Sequence, residues 1–315
     1  MRRSASGKGE NMENNRVGLL SKIKRAMRRE RWNAERYYQI FLYVFIFLLS
    51  LVCLYPLVYV LSASLMSVSE WQARGGVFLV PHRPTLEAYK FVLSQHQLYQ
   101  SLGVSVARTV VGAVLSVVTC ALTGYALSRN DFFGKKPLSV LLFITLIYYG
   151  GLIPSYLVIE QMGLLNTFWV FVIPSMLGGW NALVFRQTFQ GVPPEIEESA
   201  MVDGASPLRI LWSILLPMNM PTVAVILLFS AVGQWNSWFD ASMYIDSSNA
   251  SLTPLQLFLQ RVFAEQKPDS GQATLLNVET QKMAVAVIGI VPILCVYPFF
   301  QKYFTKGVYV GAVKG

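Results

Sequence analysis

The chain has 315 residues, 54% of them hydrophobic and 14% charged, where a soluble domain carries about 25% charged residues. That balance marks an integral membrane protein and excludes an ordinary soluble enzyme. The net charge of +9 does not argue for nucleic acid, because eleven of the 26 Lys and Arg crowd into residues 1–37, beside the first apolar run, as a cytoplasmic flank does. Cys53, Cys120 and Cys295 each sit inside an apolar run without CxxC spacing, and His82 and His96 have no acidic or cysteine cluster around them. Redox and metal chemistry are therefore poor readings. Residues 1–37 are mostly polar and the first apolar run is too long for a signal-peptide core, so no cleaved leader is expected.

In chain order, residues 1–17 are polar and without period, which predicts disorder. From Leu19 to Trp32, Leu19, Leu20, Ile23, Met27 and Trp32 share one helical face among Lys and Arg. The pattern fits a cationic amphipathic helix on the inner membrane surface, or else a solvated charged helix. Six apolar segments follow, near 38–63, 101–128, 138–159, 168–189, 218–243 and 283–303. Each reaches the roughly 20 residues that cross about 30 Å of hydrocarbon. Prolines and glycines inside them are tolerated in spans. With the N-terminus inside, the basic tail, Arg129, Lys135, Lys136, Arg186, Arg209, Lys302, Lys306 and Lys314 fall on the inner side. Only Arg74, Arg83, Lys90, Arg261, Lys267 and Lys282 fall outside, which places both termini in the cytoplasm. The expected fold is all-α and integral to the membrane, with six transmembrane helices. Two outer loops are large, 64–100 and 244–282, and no internal repeat is visible. Arg108 stands alone inside the second span, where it either snorkels outward or lines a wet cavity.

The loop 191–217 lies on the cytoplasmic side between the fourth and fifth spans and carries four of the seventeen acidic residues. Pro193 and Pro194 stop one helix and start another. Glu195, Glu197 and Glu198 sit at its positive end, and Gly204 ends it after Asp203. Ser206 is a good N-cap and Pro207 a good first residue for a second helix, in which Leu208, Leu211, Trp212 and Leu215 make an apolar face before Pro217 closes it. Two short helices about a tight turn, held by the flanking spans, can act as a lever or merely cap the bundle.

The residues of this loop carry a resemblance. Glu198-Ser199-Ala200, Asp203-Gly204-Ala205-Ser206 and Ile214-Leu215-Leu216-Pro217 resemble the "EAA" loop of ABC importer permeases, with Ser199 in place of the first Ala. "GYALSR" (124–129), "GGLIPSYLVIEQMGLLNT" (150–167), "QWNSWFDA" (234–241) with "LTPLQL" (252–257), and the ending "YPFFQKYFTKGVYVGAVKG" extend the likeness over most of the chain. They are similar to carbohydrate-uptake permeases akin to the maltose permease MalG, in the branch importing oligosaccharides derived from complex polysaccharides. The resemblance implies a type I importer half: a basic tail 1–37 and a transmembrane permease domain 38–315, core spans 101–303, in a bacterial cytoplasmic membrane. Its implied partners are a homologous second permease, two cytoplasmic ATPase subunits that bind ATP and Mg, an extracytoplasmic solute-binding protein reached by the loop 244–282, and an oligosaccharide. Glu198, Ser199, Ala200, Asp203, Gly204, Ala205 and Ser206 would form the ATPase-coupling helix and its turn. One departure from the family pattern is Arg108, where an apolar or small polar residue is expected.

Sugars bind through aromatic faces and hydroxyl hydrogen bonds. That makes Gln234, Trp235, Asn236, Trp238 and Asp240 candidates for the substrate path, with Tyr148, Tyr149 and Asn181 as further candidates. The alternative is an aromatic belt of Trp235 and Trp238, with Gln234 and Asn236 joining helices. The chain has no GxxxxGK[ST], HExxH or GxSxG motif, so it is not expected to be an ATPase or other enzyme, nor to bind a cofactor or metal of its own. A permease of the same fold for an amino acid, peptide or phosphate is the alternative; a membrane transferase or a secondary transporter fits the pattern less well.

Overall fold

The computed structural model describes residues 6–74, 80–264 and 272–312, and every regular element among them is helical. Two compact units divide the chain, residues 1–59 and 60–315. The described residues of the first belong to a single helix, α1 (Ser6–Ser64), which runs on into the second unit. Ser6–Val17, expected to be disordered, belong to this helix. Extending an existing helix costs far less than nucleating one, and no proline interrupts the stretch. The side chains of 19–32, on which the amphipathic reading rests, lie outside the described residues. From Glu35 to Ser64 the helix is long and apolar enough to cross a membrane. Nearly all its large side chains from Tyr37 to Leu57 are exposed, as suits a surface facing lipid or another membrane helix. Pro56 is accommodated without a break.

The second unit is built around α4 (His96–Ser128), a continuous helix of 33 residues. Against it pack α7 (Gly179–Gln190) and α11 (Met220–Asn236). Its buried positions are mostly small: Ser101, Ser105, Gly112, Ala113, Ser116, Cys120, Ala121 and Gly124. Small residues let helix backbones approach where no hydrophobic effect drives association. Gly124 shows how close. A Cβ there would lie 2.5 Å from the Cβ of Phe185 and 2.8 Å from the backbone nitrogen of Arg186. One core cluster joins the C-terminal half of α4 to α7 through Tyr125, Phe185 and Phe189. A second joins its N-terminal end to α3 (Glu87–Leu93), α13 (Leu255–Ala264) and α14 (Gln272–Ala312).

Three of the expected continuous spans are broken. The third is α5 (Lys135–Ile147) and α6 (Leu152–Gln161), parted where Gly151 takes a φ of +95°. The fourth opens as two 3₁₀ turns, Phe168–Phe171 and Ile173–Ser175, and bends by 47° into α7 beyond Pro174 and Gly178. The fifth is preceded by a 90° bend at Asn219 and ends at Asn236, short of the expected 243, where α12 (Phe239–Tyr244) starts a new direction. Among the described residues, three helices are individually long and apolar enough to cross a membrane, or up to five if each bent pair counts as one span. Such breaks are tolerated at membrane depth where protein supplies the freed backbone groups with partners. In the segment 244–282, expected as a loop, Thr253 and Leu255 are buried, and the Leu255 N–H donates to Ser105 Oγ at 2.7 Å. That turn is therefore tied to α4; Lys267 lies outside the described residues.

Because Gly124 meets backbone atoms that cannot rotate away, Gly124→Ala is expected to lower the thermal unfolding midpoint in detergent, at a cost of about 1–3 kcal/mol. Gly103→Ala, exposed on the same helix with nothing within 4 Å, is expected instead to raise stability by about 0.5–1 kcal/mol.

Candidate functional site

Two places bring together the residues singled out by sequence. The first is the hairpin after α7. α8 (Pro194–Val202) starts on Pro194, with Glu195 and Glu197 in its first turn. It ends in the two hydrogen bonds of a Schellman cap, Ala205 N–H to Ala200 O at 2.9 Å and Gly204 N–H to Met201 O at 3.0 Å. Gly204 takes the φ of +78° that the cap requires. Ser206 then caps α9 (Pro207–Ile210), its hydroxyl accepting from the Arg209 N–H at 3.4 Å. Glu198, Ser199, Asp203, Gly204 and Ser206 are exposed, whereas Ala200 is buried and Ala205 half-buried.

Beyond α9 the chain departs from the expected helix. Leu211–Leu215 form a π turn, followed by α10 (Leu216–Met218), so Pro217 lies inside the helix rather than closing it. The wider turn shifts the register. Ile210, Leu211 and Leu215 are buried, while Leu208 (58% exposed) and Trp212 (44%) face outward, so the four expected residues do not form one buried face. Glu197 also differs from its acidic neighbours. It is 5% exposed and ion-paired to Arg129, the residue that follows α4. Burial pushes its carboxyl above the ordinary range, and the Arg129 guanidinium opposes the rise.

The second place is a cavity of about 290 Å³ beside α4 and α11. At its wall sits Arg108, 1% exposed, with all five guanidinium donors engaged. Nε and Nη2 donate to Gln234 Oε1 at 3.1 and 3.0 Å. Nη1 donates to Ser237 O at 3.2 Å and to Asp240 Oδ1 at 3.3 Å, and Nη2 to Asp240 Oδ2 at 2.5 Å. The guanidinium carbon lies 4.4 Å from the Phe171 ring centroid. Gln234 turns its amide nitrogen to Phe171 O and Ser175 Oγ, at 3.0 and 2.7 Å, which ties α11 to the broken fourth span. Gly112 leaves the room for it; a Cβ there would meet the Gln234 side chain at 2.7 Å. Asn181 reaches Ser230 Oγ at 3.4 Å, and Ser230 donates to Ser116 Oγ at 3.2 Å.

Of the substrate-path candidates, Gln234, Asp240 and Asn181 line this cavity. Trp235 does not. It is buried on another side of α11, where its Nε1–H donates to Gly289 O on α14 at 3.1 Å. Asn236, Trp238, Tyr148 and Tyr149 are exposed and do not line the cavity. Sequence reasoning missed Ser116, Ser175 and Ser230 as lining residues; of its two readings for Arg108, snorkelling outward or lining a cavity, the buried side chain follows the second. The signal available was Asp240, an acid at the end of another apolar run that a buried guanidinium requires.

The family model of the binding-protein-dependent transport system inner membrane component matches residues 17–309. The polygalacturonan/rhamnogalacturonan transport system permease protein YtcP of Bacillus subtilis is 35% identical over 287 residues, which cover 89% of this chain and 99% of that protein. Protein LplC of the same organism is 37% identical over 265 residues, covering 82% and 89%. A chain from the crystal structure of a bacterial ABC transporter involved in the import of the acidic polysaccharide alginate superposes with a TM-score of 0.79 at 30% identity, covering 86% of this chain and 98% of that one. The chain belongs to the family of binding-protein-dependent transport system inner membrane components, and has the all-helical type I permease fold. As the membrane component of such a system it is a permease subunit and not itself an enzyme.

Asp240→Asn removes the counter-charge of a buried guanidinium. It is expected to destabilise the unit by up to about 3 kcal/mol, since Asp240 itself is partly open to the cavity. Thermal unfolding of the detergent-solubilised variant reads the loss. The double variant Arg108→Met with Asp240→Leu is expected to recover part of it.

Proposed function

We propose that the chain forms half of the translocation pore of an ATP-driven importer for oligosaccharides derived from complex polysaccharides. A homologous second permease supplies the other half, two cytoplasmic ABC ATPases bind ATP and Mg, and an extracytoplasmic binding protein delivers the sugar. The sugar class is supported by the substrates named for YtcP and for the alginate transporter. In this reading there are six spans, each broken segment counting as one, with both termini in the cytoplasm of a bacterial cell.

The observation that carries the coupling role is the Schellman-capped hairpin. It turns Glu198, Ser199, Asp203 and Ser206 outward while Ala200 is buried in the core cluster and Ala205 packs against it. Met201 and Val202, the latter 89% exposed, add an apolar ridge between the acids. This mixed surface suits a cleft on an ATPase, with Glu198 and Asp203 as its polar contacts. The sugar's route runs past the cavity of Arg108, Asn181, Gln234 and Asp240, whose hydroxyls, amides and carboxylate match the donors and acceptors of a sugar ring. Because Asp240 answers the Arg108 charge, the cavity offers hydrogen bonds more than net charge.

The chain, co-expressed with its ATPase and second permease, is expected to co-purify with them. In vesicles with the loaded binding protein, oligosaccharides are expected to stimulate ATP hydrolysis; a panel of neutral sugars and uronates reads the preference. Failure to associate with an ATPase, or a response confined to amino acids, peptides or phosphate, overturns the reading. Gly204→Val places a β-branched residue at φ +78°, where it is strained even though nothing lies within 4 Å. The variant is expected to insert and assemble but to lose at least tenfold of the sugar-stimulated ATPase.

A further inference from the structure

α8 is connected to the bundle through few side chains. Its buried residues are Glu197 and Ala200, and Glu197 grips Arg129 at the end of α4. Arg129 is itself held in place. Its backbone leaves the helix in an extended conformation, and its guanidinium folds back over Tyr125, 4.9 Å from the ring centroid, with Nη2 donating to the Tyr125 hydroxyl at 2.9 Å. Tyr125 meets the Phe189 ring edge-on, and Phe189 stacks on Phe185, both on α7. One guanidinium thus ties together α4, the last turns of α7 and the first turn of α8.

The same helix carries a buried guanidinium, that of Arg108. Arg108 lies 21 residues before Arg129, about 30 Å along a straight α-helix. The partners of the two arginines flank α11 in the chain: Glu197 on α8 before it, Asp240 on α12 after it. Two routes therefore lead from α8 to the cavity. The route through the chain passes α9, a π turn, α10 and a 90° bend before α11. The route through Arg129 enters an unbroken helix packed along both α7 and α11. A displacement entering a bent and π-wound segment is absorbed at its joints, whereas a continuous helix moves as a body.

We propose that Arg129 and Glu197 are positioning residues that make α4 the strut by which movement of α8 reaches the Arg108–Asp240 pair at the cavity. The proposal rests on the coupling role given to α8 above. Neither residue needs to touch ATPase or sugar; the ion pair converts displacement of a short surface helix into displacement of the central one.

The test uses the complete importer in vesicles with its loaded binding protein. The variants are Glu197→Gln, Arg129→Gln, both together, and the exchanged pair Arg129→Glu with Glu197→Arg. Sugar transported per ATP hydrolysed is measured, with ATPase co-purification as the assembly readout. Each single variant is expected to assemble and to transport at least tenfold less sugar per ATP. The double variant is expected to be no worse than either single, and the exchanged pair to recover part of the loss. Singles that keep the native ratio, losses that multiply in the double variant, or variants that fail to assemble overturn the proposal, the last because the pair would then be structural only. A native complex that shows no sugar-driven hydrolysis at all would instead sink the underlying transport reading.

Discussion

A guanidinium inside an apolar helix must find all its hydrogen bonds within the protein, because the surrounding hydrocarbon offers none. Arg108 finds five, and their partners determine how much of the bundle is arranged. Gln234 fixes the rotation of α11, Phe171 and Ser175 are drawn in through the Gln234 amide, and Asp240 requires the chain to turn at Ser237 into α12. Gly112 and the small residues around it follow from the same demand, since Gln234 can reach across only where α4 lacks a side chain. An unpaired charge here would be severely destabilising, so the polar cavity is a consequence of satisfying Arg108 as much as a space for a passing solute.

The broken helices follow the same logic in reverse. At Ser237, Gly151 and Val172 the ladder of backbone hydrogen bonds is interrupted, and each interruption is repaired nearby. Ser237 O accepts a hydrogen bond from Arg108, Ser155 Oγ donates to Gly151 O, and Phe171 O accepts from both Gln234 and Ser175. Irregular backbone and buried polar side chains therefore occur together, and both concentrate beside α4. From Glu35 onward α1, by contrast, remains a regular helix through Pro56.

The hairpin at Gly204 was legible in the sequence because its determinants are local. A proline, three early carboxylates, a glycine, and a serine before a second proline specify caps and turn without reference to the rest of the chain. What escaped depends on residues far apart. Arg108 and Asp240 are separated by 132 positions. Glu197 looked like one more carboxylate at a helix start, and only folding brings Arg129 against it. The spans were located by their apolar length, but that measure is blind to breaks, because a Gly-Gly or a proline lowers hydropathy little while changing the backbone path entirely. Trp235 was placed with its neighbours on the strength of sequence proximity. On a helix, adjacent residues point about 100° apart, which is why Gln234 meets the cavity and Trp235 meets α14.

The π turn at Leu211–Leu215 holds one residue more than an α-helical turn would. Deleting one residue from it would let the segment relax to an ordinary helix, and would rotate the side chains before the deletion by about 100° relative to those after it. Which of the apolar residues here is buried is therefore decided by the count of residues between Ser206 and Asn219, more than by their chemistry. In a lineage of such chains, substitutions among leucine, isoleucine and tryptophan would be tolerated across this stretch far more readily than a change in its length.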